Sequence, residues 1–258
     1  MVEFQPSKLA AWVRFPSPAP VPDTVTVSGF SYRKDSMMIQ VDHYLTALQN
    51  KLLDAFGDRL LYIGLQGSCL RGEATETSDL DVMVVLDTLT VADLDRYRGI
   101  LMDVGHFDLS CGFLCSRDDL LHWSPLEIGH LLHTTKDVCG VLSDLTPSYC
   151  EDDMRAYVKI GLCNLYHELC HRYVHARDNR DLAALAASYK SVFFILENLF
   201  YLERGQFMTT KHDLLSVLEP EHQIVLRRAI DLSRGENYDF DETLEILFSW
   251  CQSTLHSV

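Results

Sequence analysis

LLYIGLQGSCLRGEATETSDLDVMVVL, residues 60–86, reads as an apolar strand, a tight loop opening with Gly67-Ser68, and a second apolar strand that begins Asp79-Leu80-Asp81. Successive side chains of a strand alternate faces, so Asp79 and Asp81 project from one face, about 6–7 Å apart at the backbone. Two like charges that close repel, and a partner must compensate them. Leu80 and the run Val82-Met83-Val84-Val85-Leu86 mark the strand as buried, which makes bulk water a poor partner. A divalent cation is a good one, because hard Mg²⁺ takes carboxylate oxygens and leaves room for phosphate oxygens and water. Gly67 lets the backbone approach a ligand closely, and Ser68 adds a hydroxyl and a main-chain donor of the kind that cradles phosphate.

Upstream, residues 36–56 place Ile39, Tyr44, Leu45, Leu48, Leu52 and Phe56 at helical spacing, with Gly57 as the stop. Residues 1–35 hold the proline-rich run FPSPAPVPDT, which favours an extended N-terminal arm. Downstream, residues 90–104 form a surface helix. Residues 105–113 read as a third strand, in which Phe107, Leu109, Cys111 and Phe113 alternate with Asp108, Ser110 and Gly112. Asp108 stands on the polar face of that strand, with His106 two residues away.

Residues 117–150 contain a helix at Leu126–His133 and a turn-rich stretch, and the domain boundary is placed near Pro147–Asp152. Beyond it, strand alternation gives way to long helical periodicity. Val158, Leu162, Leu165 and Leu169 mark one helix, and Leu182, Leu185, Tyr189, Val192, Leu196 and Leu199 mark a second that Gly205 ends. Thr210-Lys211-His212-Asp213 reads as a capping box opening a third helix, Pro220 starts a fourth that Gly235 ends, and Asp239 or Asp241 caps a fifth.

Gly67-Ser68, ten residues, then Asp79-Leu80-Asp81 resembles the signature of the polymerase-β-type nucleotidyltransferase superfamily. The fuller run GSCLRGEATETSDLD is similar to its small-molecule and protein-modifying branch, in which Gly-Ser-x-x-Arg-Gly precedes Ser-Asp-x-Asp. The resemblance covers residues 36–115, and with the helical second half it extends to two-domain aminoglycoside nucleotidyltransferases of the kanamycin type. It implies an α+β fold: a nucleotidyltransferase domain over 36–150, with a small mixed sheet flanked by helices, followed by a C-terminal α-helical bundle over 151–258 that takes the acceptor.

The resemblance also implies roles. Asp79 and Asp81 would hold Mg²⁺, and Asp108, as the third carboxylate, would complete a two-ion site. Gly67, Ser68, Arg71 and Ser78 would bind the triphosphate of ATP or another nucleoside triphosphate, and Lys211 would contact it from the second domain. A carboxylate on the first helix of that domain would take the acceptor proton. Glu168 is the matching residue, and His171 falls where the base would lie one turn later, so either serves. The reaction implied is transfer of a nucleoside monophosphate to a hydroxyl of a small acceptor such as an aminoglycoside, with release of pyrophosphate. Relatives of this layout include monomers and dimers, so a homodimer is compatible with it.

Composition bounds these expectations. The chain has 258 residues, 47% apolar and 23% charged, a soluble globular profile. Its formal charge of −15 argues against general nucleic-acid binding, which needs basic surface, and suits a cationic substrate as readily as it serves solubility. Eight scattered cysteines without a Cys-x-x-Cys pair, and no secretory leader, lead us to expect reduced thiols in the cytoplasm. The longest apolar stretch, Ser191–Leu202, carries a Glu and an Asn and falls short of a membrane span, so no membrane partner is expected.

Three other readings compete. His167-Glu168-Leu169-Cys170-His171 matches the zinc-protease pattern His-Glu-x-x-His, and His175 extends the stripe. At about 100° per residue this stripe lies opposite the apolar stripe through Val158, which makes it a polar helix face without a third ligand. The second is modification of a protein hydroxyl, as in antitoxins paired with helical toxins. A nucleotide-binding module without catalysis would not need Asp79, Asp81 and Asp108 together.

Overall fold

The structure is a computed structural model that describes residues 40–75, 78–175 and 180–258. The proline-containing arm and Ile39 lie outside the described residues. Helix α1 (Val41–Phe56) buries Tyr44, Leu45, Leu48, Leu52 and Phe56, the stripe expected of it, and Gly57 at φ +54° ends it. Strand β1 (Leu60–Leu65) follows, then a short helix α2 (Gly67–Arg71), strand β2 (Leu80–Leu86) and helix α3 (Val91–Val104). A capping box between Thr90 and Asp93 opens α3. Strand β3 (Ser110–Ser116), helices α4 (Arg117–Leu121) and α5 (Pro125–Thr134), and strand β4 (Lys136–Cys139) complete the sheet region.

The sheet is mixed, ordered β3-β2-β1-β4, with β1 antiparallel to β2 and β4 and β2 parallel to β3. Its two faces are both covered. Ile63, Leu65, Val82, Val84 and Leu86 pack toward α1 and α3, whereas Tyr62, Met83 and Val85 pack with Leu120 of α4 and Ile128 of α5. By strand alternation Asp81 shares the side of Met83 and Val85.

Two expectations about the sheet are corrected. The third strand is Ser110–Ser116, because His106 turns into the left-handed region at φ +58° and Phe107–Leu109 coil as a single 3-10 turn. The amides of Leu109 and Ser110 both donate to the His106 carbonyl, at 2.9 and 3.0 Å. β4 comes from the stretch read as turns.

From Glu151 the described chain is helical: α6 (Glu151–His175), α7 (Leu182–Arg204), α8 (Lys211–Val217), α9 (Pro220–Ser233) and α10 (Phe240–Ser257). Val158, Leu162, Leu165 and Leu169 of α6 meet Leu185, Tyr189, Val192 and Leu196 of α7 in one core that Trp250 and Cys251 of α10 close. Gly205, left-handed at φ +67°, ends α7, Thr210 and Asp239 cap α8 and α10, and Pro220 opens α9. Among the described residues, α7 alone is long and apolar enough to cross a membrane, yet it is the central core helix, with 56% of its apolar window buried in the protein. The two regions are joined: His130 of α5 lies 2.9 Å from Asn198 of α7 and stacks on Tyr157 of α6.

Candidate active site

The loop from β1 to β2 is tied down at its start, where the Gln66 amide donates to the Asp81 carbonyl at 2.9 Å. Gly67 then takes φ +67°, a conformation that favours glycine. Space imposes the same choice: a Cβ on Gly67 would overlap Asp81 Oδ2 and stand 2.7 Å from its Cγ. The carboxylate of Asp81 therefore lies directly against the backbone of the Gly-Ser turn. Asp79, one residue before β2, is exposed, and its carbonyl accepts from the Cys69 thiol at 3.6 Å.

The parallel register of β2 and β3 sets Cys111 opposite Asp81. Burial raises the Asp81 carboxyl above its ordinary value and the neighbouring Asp79 charge raises it further, against a hydrogen bond from the Cys111 thiol and the charge of Arg71. The thiols answer in the same direction. Burial and then the Asp81 charge push Cys111 up to about 11 and raise Cys69. A half-buried carboxylate crowded by a like charge is a site that a cation stabilises.

Arg71 ends α2 and reaches the helical region. Its guanidinium stands 5.3 Å from the ring centre of Phe193 and 5.9 Å from that of Phe194, and its Nε donates to Glu73 Oε2 at 3.2 Å. Lys211, the first residue of α8, comes to the same Phe193 ring at 5.8 Å and to the same Glu73 oxygen at 3.4 Å. Ser78 pins the loop, its Oγ accepting from the Thr75 amide at 2.8 Å, while the hydroxyl of Ser68 has no partner among the described residues.

The other residues singled out from the sequence lie on other elements. Asp108 is exposed on the turn before β3, not on the strand. Glu168 sits in the seam of α6 and α7, accepting from Arg172 at 2.8 Å and from Ser188 at 2.9 Å. His167, His171 and His175 line the exposed side of α6, with neighbouring ring centres 6.2 and 4.6 Å apart. The described residues contain no group of three or more His, Cys, Asp or Glu that could hold a metal ion.

The nucleotidyltransferase domain family matches residues 49–108, a span that includes β1, the Gly67-Ser68 turn and β2 with its aspartates. The chain carries a nucleotidyltransferase domain. It is an enzyme of the nucleotidyltransferase class. No curated protein matches the sequence. Among solved structures, the spectinomycin adenyltransferase AAD(9) from Enterococcus faecialis, crystallised with ATP and spectinomycin, has the same fold. It is 15% identical, aligns over 82% of this chain and 99% of its own, and superposes with a TM-score of 0.51.

Behind the nucleotidyltransferase domain lies a buried polar cluster that sequence reasoning missed. Glu197 of α7 is 1% exposed, and its Oε1 has no hydrogen-bond partner among the described residues. His130 Nδ1 is 3.4 Å away but accepts from Asn198 Nδ2 at 2.9 Å, which places the imidazole proton on Nε2. Burial raises Glu197 well above the usual carboxylate range and pushes His130 down to about 4. Burial thus disfavours the charged form of both groups.

A pH dependence follows from His130. Between about 4 and its ordinary value of 6.5 the unfolded chain binds a proton there and the folded chain does not, so stability falls as pH falls through that window. Glu197, with its raised carboxyl, acts in the opposite direction and loses stability as pH rises. His130→Gln should therefore gain about 2 kcal/mol relative to the parent on going from pH 7 to pH 5, measured by urea unfolding. Parallel pH profiles for the two proteins would refute it.

Proposed function

We propose that the enzyme transfers a nucleoside monophosphate from a nucleoside triphosphate, ATP foremost, to a hydroxyl of a small cationic acceptor of the aminoglycoside class, releasing pyrophosphate. The observation that carries the reading is the Asp81 carboxylate held against the Gly67 backbone, with Asp79 beside it. Such a pair of hard oxygen donors, one half-buried and one exposed, fits Mg²⁺. Bound there, Mg²⁺ would supply neutralisation of the phosphate oxygens. Asp79 and Asp81 would be the first donors of such a site, and Asp108, on the turn before β3, the third carboxylate.

The remaining roles belong to the chain's own groups. Ser68 and Ser78, with the main chain of the turn, would orient the triphosphate, and Arg71 and Lys211 would meet its charge. The acceptor oxygen attacks the α-phosphorus, the bond from that phosphorus to the bridging oxygen breaks, and pyrophosphate leaves with its electron pair. Glu168 or His171 would receive the acceptor proton. The net charge of −15 is compatible with a cationic acceptor, and the structural neighbour was crystallised with ATP and spectinomycin. Eight free cysteines and use of ATP support work in the cytoplasm.

Pyrophosphate release from ATP and Mg²⁺ by the full chain, across a panel of aminoglycosides that includes spectinomycin, tests this function. Release that depends on one acceptor supports the proposal. ATP binding without release for any acceptor would turn the search to protein hydroxyls.

A further inference from the structure

Two cations on one aromatic ring, Arg71 and Lys211 over Phe193, need an anion between them, and the chain supplies its own. Glu73, two residues beyond the end of α2, places Oε2 at 3.2 Å from Arg71 Nε and 3.4 Å from Lys211 Nζ, and its Oε1 accepts from the Lys211 amide at 2.7 Å. One carboxylate thus satisfies a side chain from the sheet region and both the side chain and the main chain of a residue 138 positions later. Gly72, left-handed at φ +67°, turns the chain so that Glu73 points back, and the Glu73 amide anchors the turn on the Ser68 carbonyl at 3.0 Å. The Arg71 and Glu73 side chains are 12% and 21% exposed, so this bridge is screened less than a surface pair.

We propose that Glu73 is an internal counter-anion of the nucleotide site: it holds Arg71 and Lys211 together in the free enzyme, and the incoming polyphosphate takes its place between them. The inference rests on the reading that Arg71 and Lys211 meet the triphosphate. A polyphosphate carries more charge and more acceptor oxygens than one carboxylate, so it outcompetes Glu73 for the same donors. The other acid facing Arg71, Glu197, has no hydrogen-bond partner on its Oε1 among the described residues, and burial disfavours its charged form. Glu73 is then a positioning residue that sets nucleotide affinity: it arranges the two cations in advance and opposes the ligand that they receive.

Calorimetric binding of ATP with Mg²⁺, and of inorganic tripolyphosphate, to the full chain tests the proposal. Glu73→Gln keeps the acceptor for the Lys211 amide and removes the charge, and it should bind both ligands about fivefold more tightly. The KM for ATP should fall by a larger factor than kcat changes. Glu73→Asp, too short to bridge both cations, should shift affinity in the same direction if the first variant folds poorly. Unchanged or weaker binding in both variants, while Lys211→Ala weakens binding about tenfold, would overturn the counter-anion and leave the nucleotide site standing. Unchanged binding in Lys211→Ala would instead overturn the placement of the triphosphate, and the inference with it.

Discussion

Asp81→Ala is expected to abolish acceptor-dependent pyrophosphate release, by about 10³-fold or more, while leaving the fold intact. A loss of that size is about 4 kcal/mol of transition-state stabilisation, more than repacking of a half-exposed side chain would cause. The stability effect should have the opposite sign. Burial and the Asp79 charge raise the Asp81 carboxyl, so at neutral pH ionised Asp81 works against folding, and its removal relieves that cost. Thermal unfolding without metal should show a variant at least as stable as the parent. A variant that is less stable and retains its rate within tenfold would mark Asp81 as a structural residue.

Gly67→Ala should damage both activity and stability, and Gly72→Ala separates the two causes. Both glycines have φ +67°, so an alanine at either pays for the left-handed backbone, about 1 kcal/mol. Only at Gly67 does a Cβ meet anything: it would overlap the Asp81 carboxylate, whereas Gly72 has open space within 4 Å. Asp81 must then rotate or the turn must move, and we expect an additional 1–2 kcal/mol or so of destabilisation with a rate loss of about 10²-fold. Gly72→Ala should keep most of its activity. Equal rate losses in the two variants, measured with chemical unfolding alongside, would sink the argument that Gly67 exists to admit Asp81.

Legibility from sequence varied with the range of the interaction. α6 and α7 were visible because Val158, Leu162, Leu165, Leu169 and their counterparts repeat at helical spacing, and burial imposes that spacing locally. The start of β3 was not, because alternation of apolar and polar residues continues unbroken through Phe107-Asp108-Leu109, and only the left-handed turn at His106 ends the strand pattern. β4, four residues long, carries too little text to show a period. Glu197 left a trace, a lone carboxylate in the apolar run of α7, but nothing in that run names His130 or Arg71 as its neighbours.

The sequence by itself determined that Gly67-Ser68 precedes an aspartate pair at the start of a buried strand, since alternation, glycine freedom and charge repulsion act between residues close in the chain. It equally determined where α7 ends and where α8 and α9 begin, through Gly205, Thr210 and Pro220, whereas the structure chose Asp239 over Asp241 as the cap of α10. Tertiary structure alone decided that Asp81 rests on the Gly67 backbone, that Cys111 rather than Asp108 stands opposite it, and that Glu73 bridges Arg71 to Lys211. Those choices depend on strand register and on which helix covers the sheet, and the groups they unite have no local periodicity that links them.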